Sequence, residues 1–168
     1  MFAGLWAAFT GGCGYHSVYG YSQQAHLSVH IGQVLIPGAL AAQAAATGAR
    51  SELAARGQLA GGTDFPRLVI DILRTDELSR GIHVQSGQVH AGGMSVAVTV
   101  RGRVFTADKS EPTFDTGDIR RAVQLSGDAD PRLDGAVYDV AVRAAAARGG
   151  RAVVRAALGT PEGSDEAP

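Results

Sequence analysis

Alternating apolar and polar residues predict four β-strands in the chain. At residues 27–35, for example, Leu27, Val29 and Ile31 fall on one side of an extended backbone, and Ser, His and Gly fall on the other. Such period-two alternation is typical of a half-buried strand. The four predicted strands are residues 27–35, 67–74, 95–105 and 119–125. In the third, Val96, Val98, Val100 and Val104 are predicted to face the core. The second is apolar on both sides apart from Asp71, which predicts a central position in the sheet.

Residues 38–57 predict the first helix. They follow the strand-breaking pair Pro37 and Gly38, and they consist largely of the helix formers Ala, Gln, Arg, Glu and Leu. The helix is expected to end near Gly57. At helical spacing one face is formed mostly by small side chains, namely Leu40, Ala44, Thr47, Ser51 and Ala55. This face is predicted to pack close to the sheet.

Residues 131–158 predict the second and longest helix. Asp130 is a natural N-cap, and Pro131 suits the first helical position because its missing N–H is not needed there. One face of this helix would be formed by Leu133, Val137, Val140, Ala141, Ala144 and Arg148. The pair Gly149 and Gly150 is predicted to kink or end the helix. The acidic segment 159–168 is predicted to be a disordered tail.

The segments between the later strands, residues 75–93 and 107–118, are rich in Gly, Ser, Asp and other turn-forming residues and predict extended connections and turns. A short irregular strand is expected near residues 82–84. Because strands follow one another in the middle of the chain, an α+β fold is expected. We predict a two-layer sandwich, with a four-stranded mixed sheet and both helices on one face. If the first two strands are parallel neighbours, the helix between them forms a right-handed crossover.

Composition and charge place the chain among globular proteins and exclude some functions. The 168 residues are 45% hydrophobic and 18% charged, which suits a single packed domain, assigned to residues 27–158. The formal net charge is −1, so the chain has no global positive field that would bind nucleic acid. A single Cys excludes an internal disulfide and every multi-cysteine zinc pattern.

The first twelve residues, MFAGLWAAFTGG, carry no charge. Their apolar run is shorter than the ~20 residues that span a bilayer, and it fits a secretory signal that ends in small residues at a cleavage site. Because Cys13 follows directly, we predict that residues 1–12 are a lipoprotein signal segment and that Cys13 is lipidated. Residues 13–26 are then an extended linker. Alternatively, residues 1–12 form a first core element and Cys13 is an inert buried thiol.

Residues 12–16, Gly-Cys-Gly-Tyr-His, resemble the opening of the mature chain in the LPS-assembly lipoproteins, the LptE family. Members of this family follow the anchor with a strand, a helix, three further strands and a long C-terminal helix. The predicted elements come in the same order, so the resemblance covers most of the chain by layout. Residues 34–37 read Val-Leu-Ile-Pro where family members usually carry an Asn-Arg-Thr type segment, which makes this chain a divergent member.

The resemblance implies an outer-membrane lipoprotein on the periplasmic face. Such a protein assists the assembly of the lipopolysaccharide translocon, by plugging or chaperoning a large LptD-like β-barrel, and helps to deliver lipopolysaccharide to the outer leaflet. Only the acylated Cys13 is carried over residue by residue, and two or more acyl chains give a firm membrane anchor. An alternative role is that of a periplasmic auxiliary lipoprotein of an ABC-type lipid transporter.

Four arginines on the predicted strands are candidates for contact with lipopolysaccharide or with the partner, namely Arg101, Arg103, Arg120 and Arg121. A guanidinium group offers paired hydrogen bonds that match the oxygens of a phosphate, so these side chains could bind the phosphates of lipid A. The alternative is a solvated strand face with no binding role.

The catalytic and metal-binding readings are weaker. His26 and His30 are four residues apart, which on a strand is ~13 Å, too far to share a zinc ion whose ligands lie ~2 Å from the metal. Asp71 is expected to pair with Arg101 or Arg103 on a neighbouring strand. We therefore expect no enzymatic activity, no cofactor and no metal. A hydrolase that uses Asp71 is a third hypothesis, which substitution of Asp71 tests.

Overall fold

A mixed four-stranded sheet forms the centre of the molecule. The computed structural model describes residues 26–37, 39–79, 83–85, 88–90, 94–108, 111–125 and 134–160. The elements are β1 (Ser28–Val34), α1 (Leu40–Ala55), β2 (Arg67–Ser79), β3 (His83–Gln85), β4 (Gln88–His90), β5 (Met94–Phe105), β6 (Phe114–Gln124) and α2 (Asp134–Ala157). The sheet order is β1-β2-β5-β6, with β1 parallel to β2 and the other pairs antiparallel. The predicted α+β class and mixed sheet are confirmed.

Both helices pack on one face of the sheet, which we call the inner face. Valine, leucine and isoleucine side chains of β2 and β5 cover this face and are almost fully buried, namely Leu68, Ile70, Ile72, Val96, Val98, Val100 and Val104. Together with α1 and α2 they form a single core. The predicted central position of the second strand and the inward valines of the third are confirmed. The opposite side of the sheet is called the open face.

Two predicted strands are shorter than the observed ones. β2 runs to Ser79, and β3 and β4 pair as a two-stranded sheet, so the predicted connection at residues 75–93 contains strands. Likewise β6 begins at Phe114, inside the predicted turn at residues 107–118. These strands are predicted too short because the alternation of apolar and polar residues along them is interrupted. The β2–β5 register shifts between Ile72 and Arg74, and such a bulge moves every later side chain to the other face.

The two helices approach each other closely through glycine. A Cβ atom at Gly48 of α1 would lie 2.2 Å from the Ala147 carbonyl oxygen, and one at Gly150 of α2 would lie 2.0 Å from the Ala45 carbonyl oxygen. α2 is continuous through Gly149 and Gly150, so the predicted end of the helix at this pair is wrong. Gly48 and Gly150 serve close packing, because a side chain at either position would collide with the backbone of the other helix.

The predicted inward face of α1 is also wrong, and the predicted face of α2 is buried only in part, since its Ala141 is 1% exposed. On α1 the residues Leu40, Thr47, Ser51 and Ala55 are exposed and Ala44 is half-buried. The buried residues are Ala41, Ala42, Ala45, Ala46, Gly48, Ala49 and Leu53. On α2 Val140 is 62% exposed, whereas Val153, Val154 and Ala157 are buried. An alanine-rich helix shows little apolar periodicity, so the glycine contact between the helices selects the buried face.

Several predictions concern residues that the structure does not describe. These are the signal segment 1–12, residues 13–25 of the linker, the N-cap at Asp130 and Pro131, and residues 161–168 of the tail. The end of α2 is described. Gly159 has a left-handed φ of +66°, and the Thr160 N–H donates to the Arg155 carbonyl at 2.9 Å. Glycine suits this position because it adopts positive φ without strain.

Candidate functional site

The structure describes the point at which the predicted anchor segment joins the domain. His26 is exposed, and Leu27 directly after it is fully buried. The Leu27 N–H donates to the Gln58 carbonyl at 2.8 Å, and its carbonyl accepts from the Ala60 N–H at 3.0 Å. The chain is therefore held by the domain from Leu27 onward. Cys13 lies outside the described residues, and its lipidation stays a prediction.

Three of the four predicted arginines come together on the open face, and each is paired with a carboxylate. Arg101 on β5 binds Asp115 on β6 with two hydrogen bonds, Nε to Oδ1 at 2.9 Å and Nη2 to Oδ2 at 2.7 Å. Asp118 lies 3.9 Å from the same guanidinium group. Two parallel bonds of this kind fix the plane of an arginine as well as its charge.

Arg103 pairs with Asp71, the carboxylate that the sequence places on the otherwise apolar β2. The Arg103 Nη2 to Asp71 Oδ2 distance is 2.7 Å, which confirms the predicted pairing with a neighbouring strand. The Asp71 Oδ1 atom accepts the Gln33 backbone N–H at 2.8 Å, where the β1–β2 register shifts. Because Asp71 is 3% exposed and both of its oxygens bind the fold, its role in this structure is to hold β1, β2 and β5 together.

The Arg120 side chain of β6 spans β5 and contacts β2. Its Nε atom on β6 lies 3.4 Å from Asp76 Oδ2 on β2, and Arg74 lies 3.3 Å from the same oxygen. In the register Thr99 is the partner of Arg120 and Ala97 is the partner of Asp76. Both residues are small and buried, which leaves room for the pair to span the sheet above them.

Arg121 does not join the other three arginines. Its register partner on β5 is Val98, a core residue of the inner face. The half-buried Arg121 side chain therefore starts on the helix side of the sheet, and its Nη1 atom donates to the Arg120 carbonyl at 2.9 Å. Grouping all four arginines on one surface is wrong, because adjacent residues of a strand point to opposite faces.

Around Arg101, Arg103 and Arg120, the described part of the open face balances its charges internally. Four arginines, Arg74, Arg101, Arg103 and Arg120, lie within 4.0 Å of four aspartates, Asp71, Asp76, Asp115 and Asp118. The hydrogen bonds from Arg101 lower the pKa of Asp115, and the same bonds raise the pKa of Arg101. The Arg101–Asp115 ion pair therefore persists at neutral pH. An anionic ligand at Arg101 would compete with a carboxylate that already binds it.

A second group of basic side chains, which the sequence pattern did not indicate, lies at the β1 edge of the sheet. The Arg67 guanidinium lies 3.9 Å from the centre of the Phe65 ring. Burial first, and then the charges of Arg67 and Arg50, lower the pKa of His30. The Arg50 Nη2 atom donates to the Val29 carbonyl at 3.1 Å. No local motif marks this group, because its members come from β1, α1 and β2.

Within the described part of the chain, no three His, Cys, Asp or Glu residues lie together as metal ligands would. No described helix combines the length and the apolar character needed to cross a bilayer. His30 lies on β1 and His26 directly precedes the Leu27 bridge, so the two histidines are on an extended backbone, as predicted.

Solved structures of other proteins are similar to this chain at low sequence identity. Neither a protein-family model nor a curated protein matches the chain. A minor lipoprotein from Acinetobacter baumannii is 10% identical, has a TM-score of 0.45, and the match covers 77% of this chain and 93% of that one. A protein from Caulobacter crescentus described as a lipoprotein is 14% identical, with a TM-score of 0.47 and coverage of 74% and 84%. A Xanthomonas campestris protein described under DUF330 is 13% identical, with a TM-score of 0.47 and coverage of 83% and 86%.

Proposed function

We propose that the protein is a bacterial lipoprotein, held in the outer membrane by acyl chains on Cys13. Its domain assists assembly of the lipopolysaccharide translocon at the periplasmic face and the delivery of lipopolysaccharide to the outer leaflet. The observation that carries the proposal is the order of elements around one sheet: β1, α1, the long strands β2, β5 and β6, and then α2. This is the order that the resemblance of residues 12–16 to the LPS-assembly lipoproteins implies.

The proposed role is binding to a partner protein and not catalysis. A sandwich of one sheet and two closely packed helices is rigid, since its core is continuous from β1 to α2. Rigid elements hold binding groups more accurately than loops do. The large β-barrel partner would therefore meet a preformed surface, and little conformational entropy would be lost on binding.

Arg101 and Arg120 are the proposed contacts for lipopolysaccharide phosphates among the four candidate arginines. Their side chains are 43% and 41% exposed, so a ligand can reach them. A phosphate would bind Arg101 by displacing Asp115, with the same paired hydrogen-bond geometry. Arg103 is held by the buried Asp71 and Arg121 starts on the inner face, which makes both of them less suited to this contact.

Labelling tests the anchor. The full chain, expressed in a Gram-negative host, is expected to incorporate radiolabelled palmitate and to lose residues 1–12, because only Cys13 offers a thiol. The Cys13→Ser variant keeps the size of the side chain and is expected to take up no label. Failure of the wild-type chain to incorporate palmitate, with residues 1–12 still attached, contradicts the proposal.

Co-purification tests the partner. A C-terminally tagged full chain, extracted with detergent from outer membranes, is expected to bring down a large β-barrel. Recovery of an inner-membrane permease complex instead would select the alternative, an auxiliary lipoprotein of an ABC-type lipid transporter. Recovery of the lipidated chain alone, without any membrane partner, would contradict both roles while leaving the anchor established.

A further inference from the structure

Two arginines near the first strand have no carboxylate partner within the described ranges of the chain. Among the described residues, Arg74, Arg101, Arg103 and Arg120 of the open face each lie within 4.0 Å of an aspartate. Arg67 and Arg50 do not: the contact of the Arg67 guanidinium is the Phe65 ring, and that of Arg50 is the Val29 carbonyl. This end of the sheet therefore carries two positive charges that the described part of the fold does not neutralise.

The sheet register brings these arginines to one histidine. Ser28 is the partner of Arg67 and His30 is the partner of Val69, so His30 and Arg67 are diagonal neighbours on the open face. β1 is an edge strand, and Arg50 of α1 binds the carbonyl of Val29, the residue before His30. The charges of both arginines act on the His30 imidazole.

Buried nitrogen atoms without a partner gather at the same place. Five buried polar side-chain atoms of the described residues have no hydrogen-bond partner, and three of them are His30 Nε2, Arg67 Nε and Arg103 Nε. His30, Val69 and Arg103 are register partners in one row across three strands, and Arg67 is in the next row. Unpartnered buried nitrogens are uncommon in folded proteins, and a cluster of them favours a nearby acceptor.

We propose that Arg67, the diagonal neighbour of His30, and Arg50, bound to the Val29 carbonyl, bind a dianionic phosphate group at the β1 edge of the sheet. A phosphate monoester carries close to two negative charges at neutral pH, which matches the two uncompensated guanidinium groups. Guanidinium forks fit phosphate oxygens with paired hydrogen bonds. The Phe65 ring under Arg67 holds that guanidinium plane in place before the ligand arrives.

This site differs from the contacts proposed at Arg101 and Arg120, and it does not depend on the proposed function. At Arg101 an anion has to displace Asp115, whereas at Arg67 no carboxylate of the described residues competes. The phosphate could belong to a lipid headgroup or to a soluble phosphomonoester, because the same chemistry recognises both. A test with a soluble phosphomonoester and with lipid vesicles distinguishes these two sources.

The first arm of the test uses a soluble phosphomonoester. The purified full chain is titrated with phenyl phosphate and, as a monoanion of similar shape, with benzenesulfonate, while the His30 imidazole signals are followed by NMR. Phenyl phosphate is expected to shift these signals and to bind more tightly than benzenesulfonate. Arg67→Gln and Arg50→Gln are each expected to weaken binding about tenfold, the effect of one lost charge-assisted hydrogen bond.

Arg74→Gln is the matched control, since it removes the same charge from an exposed arginine of the same face. It leaves Asp76 paired with Arg120 and is expected to bind phenyl phosphate as the wild type does. Arg67→Lys, which keeps the charge and loses the fork, is expected to bind more weakly than the wild type. Circular dichroism checks that each variant is folded. Equal weakening in Arg74→Gln, or equal affinity for both ligands, would overturn the proposal.

The second arm uses phosphatidylcholine vesicles with and without phosphatidic acid, whose headgroup is a phosphate monoester. Binding that requires phosphatidic acid and is weakened by Arg67→Gln identifies a lipid as the source of the phosphate. Binding of phenyl phosphate without vesicle binding identifies a soluble phosphomonoester. If neither probe binds the wild-type chain, the site does not exist as proposed.

Discussion

The Asp71 side chain joins three strands of the sheet. One oxygen binds the β1 backbone at Gln33 and the other binds Arg103 of β5. A Cβ atom on the neighbouring Gly32 would lie 2.2 Å from the Asp71 Oδ1 atom. The glycine is thus required for the carboxylate to approach the bulge of β1. Asp71 therefore has a structural role, whatever the function of the surface.

We predict that Asp71→Ala lowers the free energy of unfolding by about 2–4 kcal/mol, because it leaves the Arg103 guanidinium and the Gln33 N–H without an acceptor. Asp71→Asn keeps an oxygen for Gln33 and is expected to lose less. Urea unfolding followed by circular dichroism measures both. Asp118→Ala is the control: its carboxylate is 60% exposed and 3.9 Å from Arg101, so a loss under about 0.5 kcal/mol is expected. Similar losses at the two positions would contradict this role of Asp71.

Glu52 gives a pH dependence with a defined sign. Burial opposes its ionisation, but hydrogen bonds from Arg56 and Arg155 outweigh burial and lower the pKa of Glu52 below its ordinary value of 4.5. A carboxyl whose pKa is lower in the folded protein stabilises the fold above its unfolded pKa, and this contribution is lost as the pH falls through the folded value.

The wild-type chain is therefore expected to lose stability more steeply than Glu52→Gln as the pH is lowered below about 4.5. Urea midpoints measured between neutral and acidic pH test this. The glutamine side chain has nearly the same size and does not ionise in this range. Parallel curves for the two proteins would show that Glu52 contributes no pH-dependent stability.

At the scale of elements, the contact between α1 and α2 depends on glycine. Gly48 and Gly150 each face a backbone carbonyl of the other helix at a distance that no Cβ atom allows. Backbone atoms cannot move aside as flexible side chains do. A methyl group at either position therefore has to separate the helices or shift them along each other.

We predict that Gly48→Ala and Gly150→Ala each destabilise the protein by about 2 kcal/mol or more, as overpacking does. Gly135→Ala in α2 is the matched control, because a Cβ atom there meets nothing within 4 Å. Alanine is the better helix former, so this variant is expected to be neutral or up to about 1 kcal/mol more stable. Thermal unfolding compares the three variants. A stable Gly150→Ala protein would contradict the close contact.

The elements also differ in how far the sequence could predict them. β5 was predicted to within one residue, because its valines alternate without interruption and face one core. β2 and β6 were predicted too short. Their alternation changes phase at register shifts, and polar residues beyond the shift, such as Thr75 and Asp76, have the composition of a loop.

For the whole molecule, the described residues form one continuous core. The members of the core cluster that the structure describes lie between Leu27 and Leu158. We predict that a chain without residues 1–25 and 161–168 unfolds in one cooperative transition, with a urea midpoint close to that of the full chain. A broad or probe-dependent transition in the truncated chain would show that the removed segments contribute to the core.

The sequence by itself determined the fold class, the order of the elements, the central position of β2 and the inward valines of β5. These features depend on period-two alternation and on helix-forming composition, which are both visible in short stretches of sequence. Only the tertiary structure decided the buried faces of the helices, the continuity of α2 through Gly149 and the approach of Arg50 and Arg67 to His30. It also decided that Arg103 and not Arg101 is the partner of Asp71, and which aspartates bind the other arginines. The buried face of a helix rich in small side chains cannot be read from apolar periodicity, because these side chains differ little in hydrophobicity. Contacts between distant segments depend on the strand register and on how closely the helices approach, and local sequence patterns specify neither.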